Sequence, residues 1–189
     1  VRVTTREDGE ASERSFIVKA VGSDAYVETT APARSKGELM LFNDRTIWYF
    51  KPGLRKPVSI SARQRLSGQA ANGDIASTNY SRDYDGVVVG EEKIGGEDAY
   101  RIELKAKAAN VTYDKIRYWV SKGRRRALKA EFLTISGAPF KVATFEYQNK
   151  MMIGGAETDF VSAMTITDAA FPENVTSIHY SSPRPDEHA

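Results

Sequence analysis

The chain is predicted to form a mainly β, α+β fold, a large curved antiparallel sheet with a small helical cover between its front and back halves. Apolar and polar residues alternate with period two through most of the sequence, the mark of strands with one dry and one wet face. Gly, Pro and Asn signals separate these runs at short spacing, which implies hairpins and an antiparallel order. One stretch, beginning at Ser61, breaks the rhythm and reads as helix. A chain of 189 residues can bury enough apolar surface to build one domain around a single core.

The front half offers strands at 14–21, 26–30, 38–42, 46–50 and 58–61. Ser23-Asp24 and Asn43-Asp44 are turn dipeptides, because their short polar side chains tolerate tight backbone conformations. The helical cover follows. Ser61-Ala62-Arg63-Gln64 has the form of a capping box, predicting a helix through about Ala71 that stops at Asn72-Gly73. Asp74 then caps a second short helix with Ile75, Ala76 and Tyr80 on one face. Helices this weakly apolar must lie on a sheet to be stable.

The back half resumes at 99–107, where Tyr100, Ile102, Leu104 and Ala106 interleave with Arg101, Glu103, Lys105 and Lys107. At 115–120, Ile116, Tyr118 and Val120 alternate with Lys115, Arg117 and Trp119, and Gly123 marks the next turn. Strands at 128–135, 140–147, 160–167 and 175–180 complete an antiparallel meander. The domain is taken as 1–180. The tail 181–189 has two prolines and no apolar periodicity, and is expected to be disordered.

Composition excludes several function classes. Hydrophobic residues make up 41% and charged residues 28%, with a mean hydropathy of -0.46, the balance of a water-soluble globule. The net charge of +2 gives no long-range field able to hold a nucleic-acid duplex. Without cysteine there is no disulfide framework, thiolate nucleophile or Cys-based metal site. No apolar run approaches the roughly 20 residues needed to cross a bilayer. The chain opens on the mixed stretch Val1-Arg2-Val3-Thr4-Thr5-Arg6, with neither a signal peptide nor an initiator Met, so an upstream segment is expected to have been removed.

The inventory for catalysis is poor. His179 and His188 are the only histidines; the first lies on a strand and the second in the tail. No nucleophile-elbow, zinc-protease or phosphate-loop motif occurs. Asp83, Asp85, Glu91 and Glu92 lack the spacing of a calcium loop and read as solvated turn residues. No enzyme activity, metal or cofactor is therefore expected. Two basic clusters stand out: Arg45, Lys51, Arg55, Lys56, Arg63 and Arg65, and the run 122–126 with Lys129. They read either as charged hairpin tips or as binding sites for anionic headgroups or a partner.

The last signal is an excess of apolar side chains. In 39–42 and 47–50 both parities are greasy, through Leu39, Leu41, Ile47 and Phe50 among others, which a half-wet antiparallel strand does not require. Something must cover the second face. A dry core and a ligand cavity under the helical cover both satisfy the pattern.

Asp44-Arg45-Thr46-Ile47-Trp48-Tyr49-Phe50-Lys51-Pro52 resembles the Trp-bearing D-G-K-T-L-W-x-Y-x-P segment of the LolA-type periplasmic lipoprotein carriers. Lys36-Gly37-Glu38-Leu39-Met40-Leu41-Phe42 sits where those proteins have the neighbouring strand. The resemblance is closer still to the LolA-like outer-membrane lipoprotein-sorting proteins. It is carried by Lys56-Pro57, Arg63-Gln64-Arg65-Leu66, Gly68-Gln69, Asn72-Gly73-Asp74-Ile75-Ala76 and Leu128-Lys129-Ala130-Glu131-Phe132. It covers most of the chain, from about Arg14 to Tyr180.

The resemblance implies an incomplete antiparallel β-barrel closed by helices, with acyl chains held between concave sheet and lid. It further implies a periplasmic, monomeric carrier of lipid or lipoprotein, its signal peptide removed. Tyr100, Ile102, Leu104, Ile116, Tyr118 and Phe132 are the candidates for the concave sheet, with Leu39, Leu41, Ile47 and Phe50 in the front strands and Leu66 and Ile75 on the lid. The alternative role is a docking module of an RND-type lipid exporter or a lipoprotein acceptor, through Arg55, Lys56, Arg124, Arg125 and Arg126. Two departures stand out. The carriers have an Arg before the Trp-bearing segment that helps latch the lid, where 18–21 offers Ala20; and their long N-terminal helix is not evident before Val1.

Overall fold

The computed structural model of the chain describes residues 1–76 and 79–185. The front half is a meander of β1 (Arg2–Glu7), β2 (Glu10–Val21), β3 (Asp24–Ala31), β4 (Leu39–Asn43), β5 (Thr46–Phe50) and β6 (Val58–Ile60). A short connecting segment follows, with β7 (Arg65–Ser67), β8 (Ala70–Ala71), α1 (Asn72–Ala76) and α2 (Tyr80–Asp83). The back half comprises β9 (Tyr84–Ile94), β10 (Glu97–Ala106), β11 (Lys115–Ser121), β12 (Ala127–Leu133) and β13 (Pro139–Glu146). A separate hairpin, β14 (Asn149–Ile153) and β15 (Ala156–Phe160), precedes β16 (Ala163–Asp168) and β17 (Val175–His179).

Among the described residues, thirteen strands form one antiparallel sheet in the order β6-β5-β4-β3-β2-β1-β17-β16-β13-β12-β11-β10-β9. Pairing of β1 with β17 joins the two halves in the middle of the sheet. Its end strands, β6 and β9, do not pair with each other, so the barrel stays open. The chain must nevertheless run from β6 to β9. The described residues between them, 61–76 and 79–83, lie across the concave face and form the lid.

Tight turns hold the register. Asp8-Gly9 and Gly95-Gly96 take positive φ at both positions, the geometry that two-residue hairpins require to match strand twist. The turns expected at Ser23-Asp24 and Asn43-Asp44 fall one residue away, at Gly22-Ser23 and Asp44-Arg45, between the last paired residues of their strands.

The concave face is the core. Phe42, Phe132, Ile116, Ile166, Ile178, Val3 and Val27 are its most buried large side chains. Their strands place them on one face by strict alternation, as in the run Val27, Met40 and Tyr49 across β3, β4 and β5.

The expected helix through Ala71 does not form. Ser61 and Gln64 do make a capping-box exchange, with the Ser61 N–H donating to Gln64 Oε1 and the Arg63 N–H to Ser61 Oγ. The chain then turns into the β7–β8 hairpin, because Gly68 takes φ +49° and the Asn72 N–H bonds the Gln64 carbonyl. Nor does Asp74 cap the second helix. It lies within α1, and Asn79 caps α2 by accepting from the Arg82 N–H. Ser77 and Thr78, in the expected second helix, lie outside the described residues. So do 186–189 of the expected disordered tail; 181–185 carry neither helix nor strand.

Strand β9 went unread in the sequence, as did β1 and β14. The expected strand 160–167 is two: β15 ends at Phe160 and β16 begins at Ala163, the first in the separate hairpin and the second in the main sheet.

Candidate functional site

The site lies between the concave sheet and the lid. The lid is fastened mainly through polar groups. Gln69 donates its N–H to Thr176 Oγ1 at 2.8 Å, and Lys141 Nζ reaches the Gln69 carbonyl at 2.7 Å. Thr5 Oγ1 and Ser67 Oγ share a hydrogen bond at 3.2 Å. At the opposite margin Arg63 grips Asp114 through two bonds of 2.8 and 2.7 Å. Asp83 at the end of α2 receives Arg45 and Arg82. Burial alone would raise the Asp83 carboxyl, but these two guanidinium groups hold it below the usual carboxylate range.

Beneath the lid the two halves differ. On the back-half side the space is filled. Tyr113 stacks on Phe132 with ring centroids 3.8 Å apart, and Tyr80 meets Tyr84 and Tyr118 edge to face. Tyr113 donates to Asp74 Oδ2, which also accepts the Ala71 N–H, both at 2.8 Å. Burial pushes the Asp74 carboxyl up to about 6, and these two donors only partly oppose it.

On the front-half side a cavity of about 360 Å³ remains open. Met40, Tyr49 and Ile60 form its sheet wall and Leu66 its lid wall, while Arg14, Glu38, Gln64, Arg65 and Asn72 bring polar groups to it. Arg14 spans the two layers. Its Nη1 donates to the Leu66 carbonyl at 3.0 Å, its Nη2 to Glu38 Oε2 at 3.1 Å, and the guanidinium lies over the Phe16 ring. The volume falls in the range of about 300–1,000 Å³ typical of small-molecule pockets.

Of the sequence-predicted ligand residues, Leu66 lines this cavity, and Ile47 lines a smaller cleft beside Arg45 and Tyr80. Ile102, Leu104, Ile116, Tyr118, Phe132 and Ile75 belong to the filled core. Leu39, Leu41 and Phe50 alternate with Met40 and Tyr49 and so take the convex face. Tyr100 lies exposed under the Lys122 ammonium. Of the predicted docking residues, Arg55, Lys56, Arg124 and Arg125 are exposed. Arg126 is held by Glu97 and Asp159 and packs over Tyr147.

Sequence reasoning missed Arg14, Glu38, Met40, Tyr49 and Ile60. Arg14 did leave a signal: it is a cation on the parity of β2 that otherwise carries Phe16 and Val18. A charge at a core position demands a partner, and here the partners are Glu38 and the lid backbone.

Fold and site together define a lidded, incompletely closed antiparallel β-barrel with an apolar concave face. A LolA superfamily protein from Nitrosomonas europaea is 32% identical, with 98% of this chain and 84% of that one covered and a TM-score of 0.85. The chain belongs to the LolA superfamily. A family model described as "Uncharacterized protein"-like matches residues 22–188. The same fold occurs in an outer membrane lipoprotein-sorting protein domain from Vibrio parahaemolyticus, 22% identical over 96% of this chain and 81% of that one, TM-score 0.80. It also occurs in a DUF1329 family protein from Desulfovibrio piger, 22% identical over 100% and 84%, TM-score 0.79. No curated protein matches the chain.

Proposed function

We propose that this chain is a non-enzymatic carrier of the bacterial periplasm that holds acyl chains of a lipid or lipoprotein between its curved sheet and lid. The observation that carries this reading is the open cavity bounded by Met40, Tyr49, Ile60 and Leu66 and crossed by the Arg14 contact to the lid. Withdrawing an acyl chain from water gains about 0.8 kcal/mol per methylene, so apolar walls are sufficient for binding and no cofactor is needed. Arg14, Arg65 and Gln64 at the same cavity offer donors to an ester or headgroup oxygen. Membership of the LolA superfamily supports the reading.

Release follows from how the lid is held. Its fastenings are mostly hydrogen bonds and ion pairs, each of which water can replace at modest net cost. The test is Ile60→Asp, a partly exposed edge-strand position that places a charge in the cavity wall. The folded variant is expected to lose at least tenfold in affinity for a fluorescent fatty acid, while Tyr100→Asp, outside the cavity, binds as the parent does. Full binding by folded Ile60→Asp would overturn the assignment.

A further inference from the structure

The convex face of the front half is apolar where the convex face of β10, β11 and β12 is charged. In the back half, Arg117 lies between Glu103 and Glu131, with Lys129 also on Glu131, a ladder of ion pairs facing water. In the front half the outward rows are instead Ile17, Glu28, Leu39 and Phe50, and beside them Lys19, Tyr26, Leu41, Trp48 and Ser59. Ile17 is 47%, Leu41 50% and Trp48 44% exposed, so nothing among the described residues covers them. The carboxylate within the patch, Glu28, accepts the Tyr26 hydroxyl.

Cations border this patch. Leu39 pairs with Phe50, so the segments 32–38 and 51–57 emerge at the same end of the sheet, where Gly37 sits against Pro52. They carry Arg34, Lys36, Lys51, Arg55 and Lys56, all exposed, and Lys19 joins them from within the patch. Among the described residues none of these six has an ion-pair partner, whereas Arg63, Arg82, Arg117 and Arg126 are all paired. Exposed Trp and Leu beside unpaired Lys and Arg match the layering of a bilayer surface, with an apolar boundary below anionic headgroups.

We infer that this face docks on an anionic lipid bilayer, with Leu41 and Trp48 entering the headgroup boundary and Lys51, Arg55 and Lys56 meeting the lipid phosphates. Glu38 and Tyr49 of the cavity adjoin Leu39 and Phe50 in the chain and point to the other face of the same strands. Docking and cargo binding use opposite faces of the same strands and can fail separately.

Co-sedimentation tests this, with vesicles of phosphatidylcholine containing phosphatidylglycerol against vesicles of phosphatidylcholine alone. The protein is expected to sediment with the anionic vesicles at low ionic strength and to be released by salt. Leu41→Ser/Trp48→Ser is expected to weaken binding at least about tenfold, and Lys51→Glu/Arg55→Glu/Lys56→Glu about a hundredfold or more. Both variants alter exposed side chains and retain uptake of a fluorescent fatty acid, which separates a docking failure from a failure of the carrier reading. Absence of sedimentation at low salt, equal sedimentation with both vesicles, or binding unchanged in both variants overturns the proposal. So does a dimer in sedimentation velocity that Leu41→Ser/Trp48→Ser dissociates, because the face would then belong to a second copy.

Discussion

At the residue scale, two positions of the lid carry most of the consequence. Gly68 takes φ +49°, and a Cβ there would lie 2.3 Å from Thr176 Oγ1 and from Thr5 Cγ2. Gly68→Ala is therefore expected to destabilise the protein by about 1–3 kcal/mol through overpacking and to speed hydrogen exchange in 65–71 more than in β16 and β17. Uniform protection across both regions would show that the lid is not seated through this contact. Asp74 has the opposite kind of importance. Its carboxyl is raised to about 6 from 3.8 by burial, so the folded state holds its proton more tightly than the unfolded chain. The resulting stabilisation is complete below about pH 4 and is lost as pH rises through about 6. Melting temperature measured between those limits should fall with rising pH from this group, and Asp74→Asn should flatten that dependence. An unchanged pH profile in Asp74→Asn would remove Asp74 as its source. Neither role was visible in the sequence, where Gly68 fell inside the helix expected through Ala71 and Asp74 read as a cap. Both depend on side chains more than 30 residues away in the chain.

At the element scale, legibility followed burial on one face. Strands β2, β3, β10, β11, β13 and β17 have one face on the core, and their alternation announced them, while β4 and β5 were read from apolar runs between turn signals. β9 has no such contrast: Val87, Val88 and Val89 are all exposed on an edge strand between Asp85 and Glu91. Alternation cannot report a strand that buries neither face. The lid failed differently. Its capping-box hydrogen bonds are real, but a local exchange among four residues does not propagate a helix when Gly68 and tertiary bonds from Thr5, Thr176 and Asn72 favour a hairpin. Helices of five and four residues are too short to be stable alone, so the sheet beneath decides what the lid becomes.

At the scale of the whole molecule, the open barrel explains where a ligand can sit. The front and back halves meet through β1 and β17, the free edges β6 and β9 stay apart, and the lid bridges them. A closed eight-strand barrel fills itself with side chains, but a longer open sheet under a short lid is filled on one side only. The curved sheet and its cover were legible because patterning and turn chemistry act along the whole chain, and the family through the resemblance carried by 44–52 and the lid motifs. The position of the cavity was not, because the excess of apolar residues in β4 and β5 serves both faces. Met40 and Tyr49 look inward while Leu41 and Trp48 look outward, and alternation alone does not say which parity meets the lid. The proposed function requires the front-half cavity to carry acyl chains. The most direct measurement is mass spectrometry of an organic extract from protein purified natively from cells. Stoichiometric lipid is expected to co-purify and to disappear from folded Ile60→Asp. A clean extract from the parent protein, together with no uptake of a fluorescent fatty acid, would contradict the proposed function.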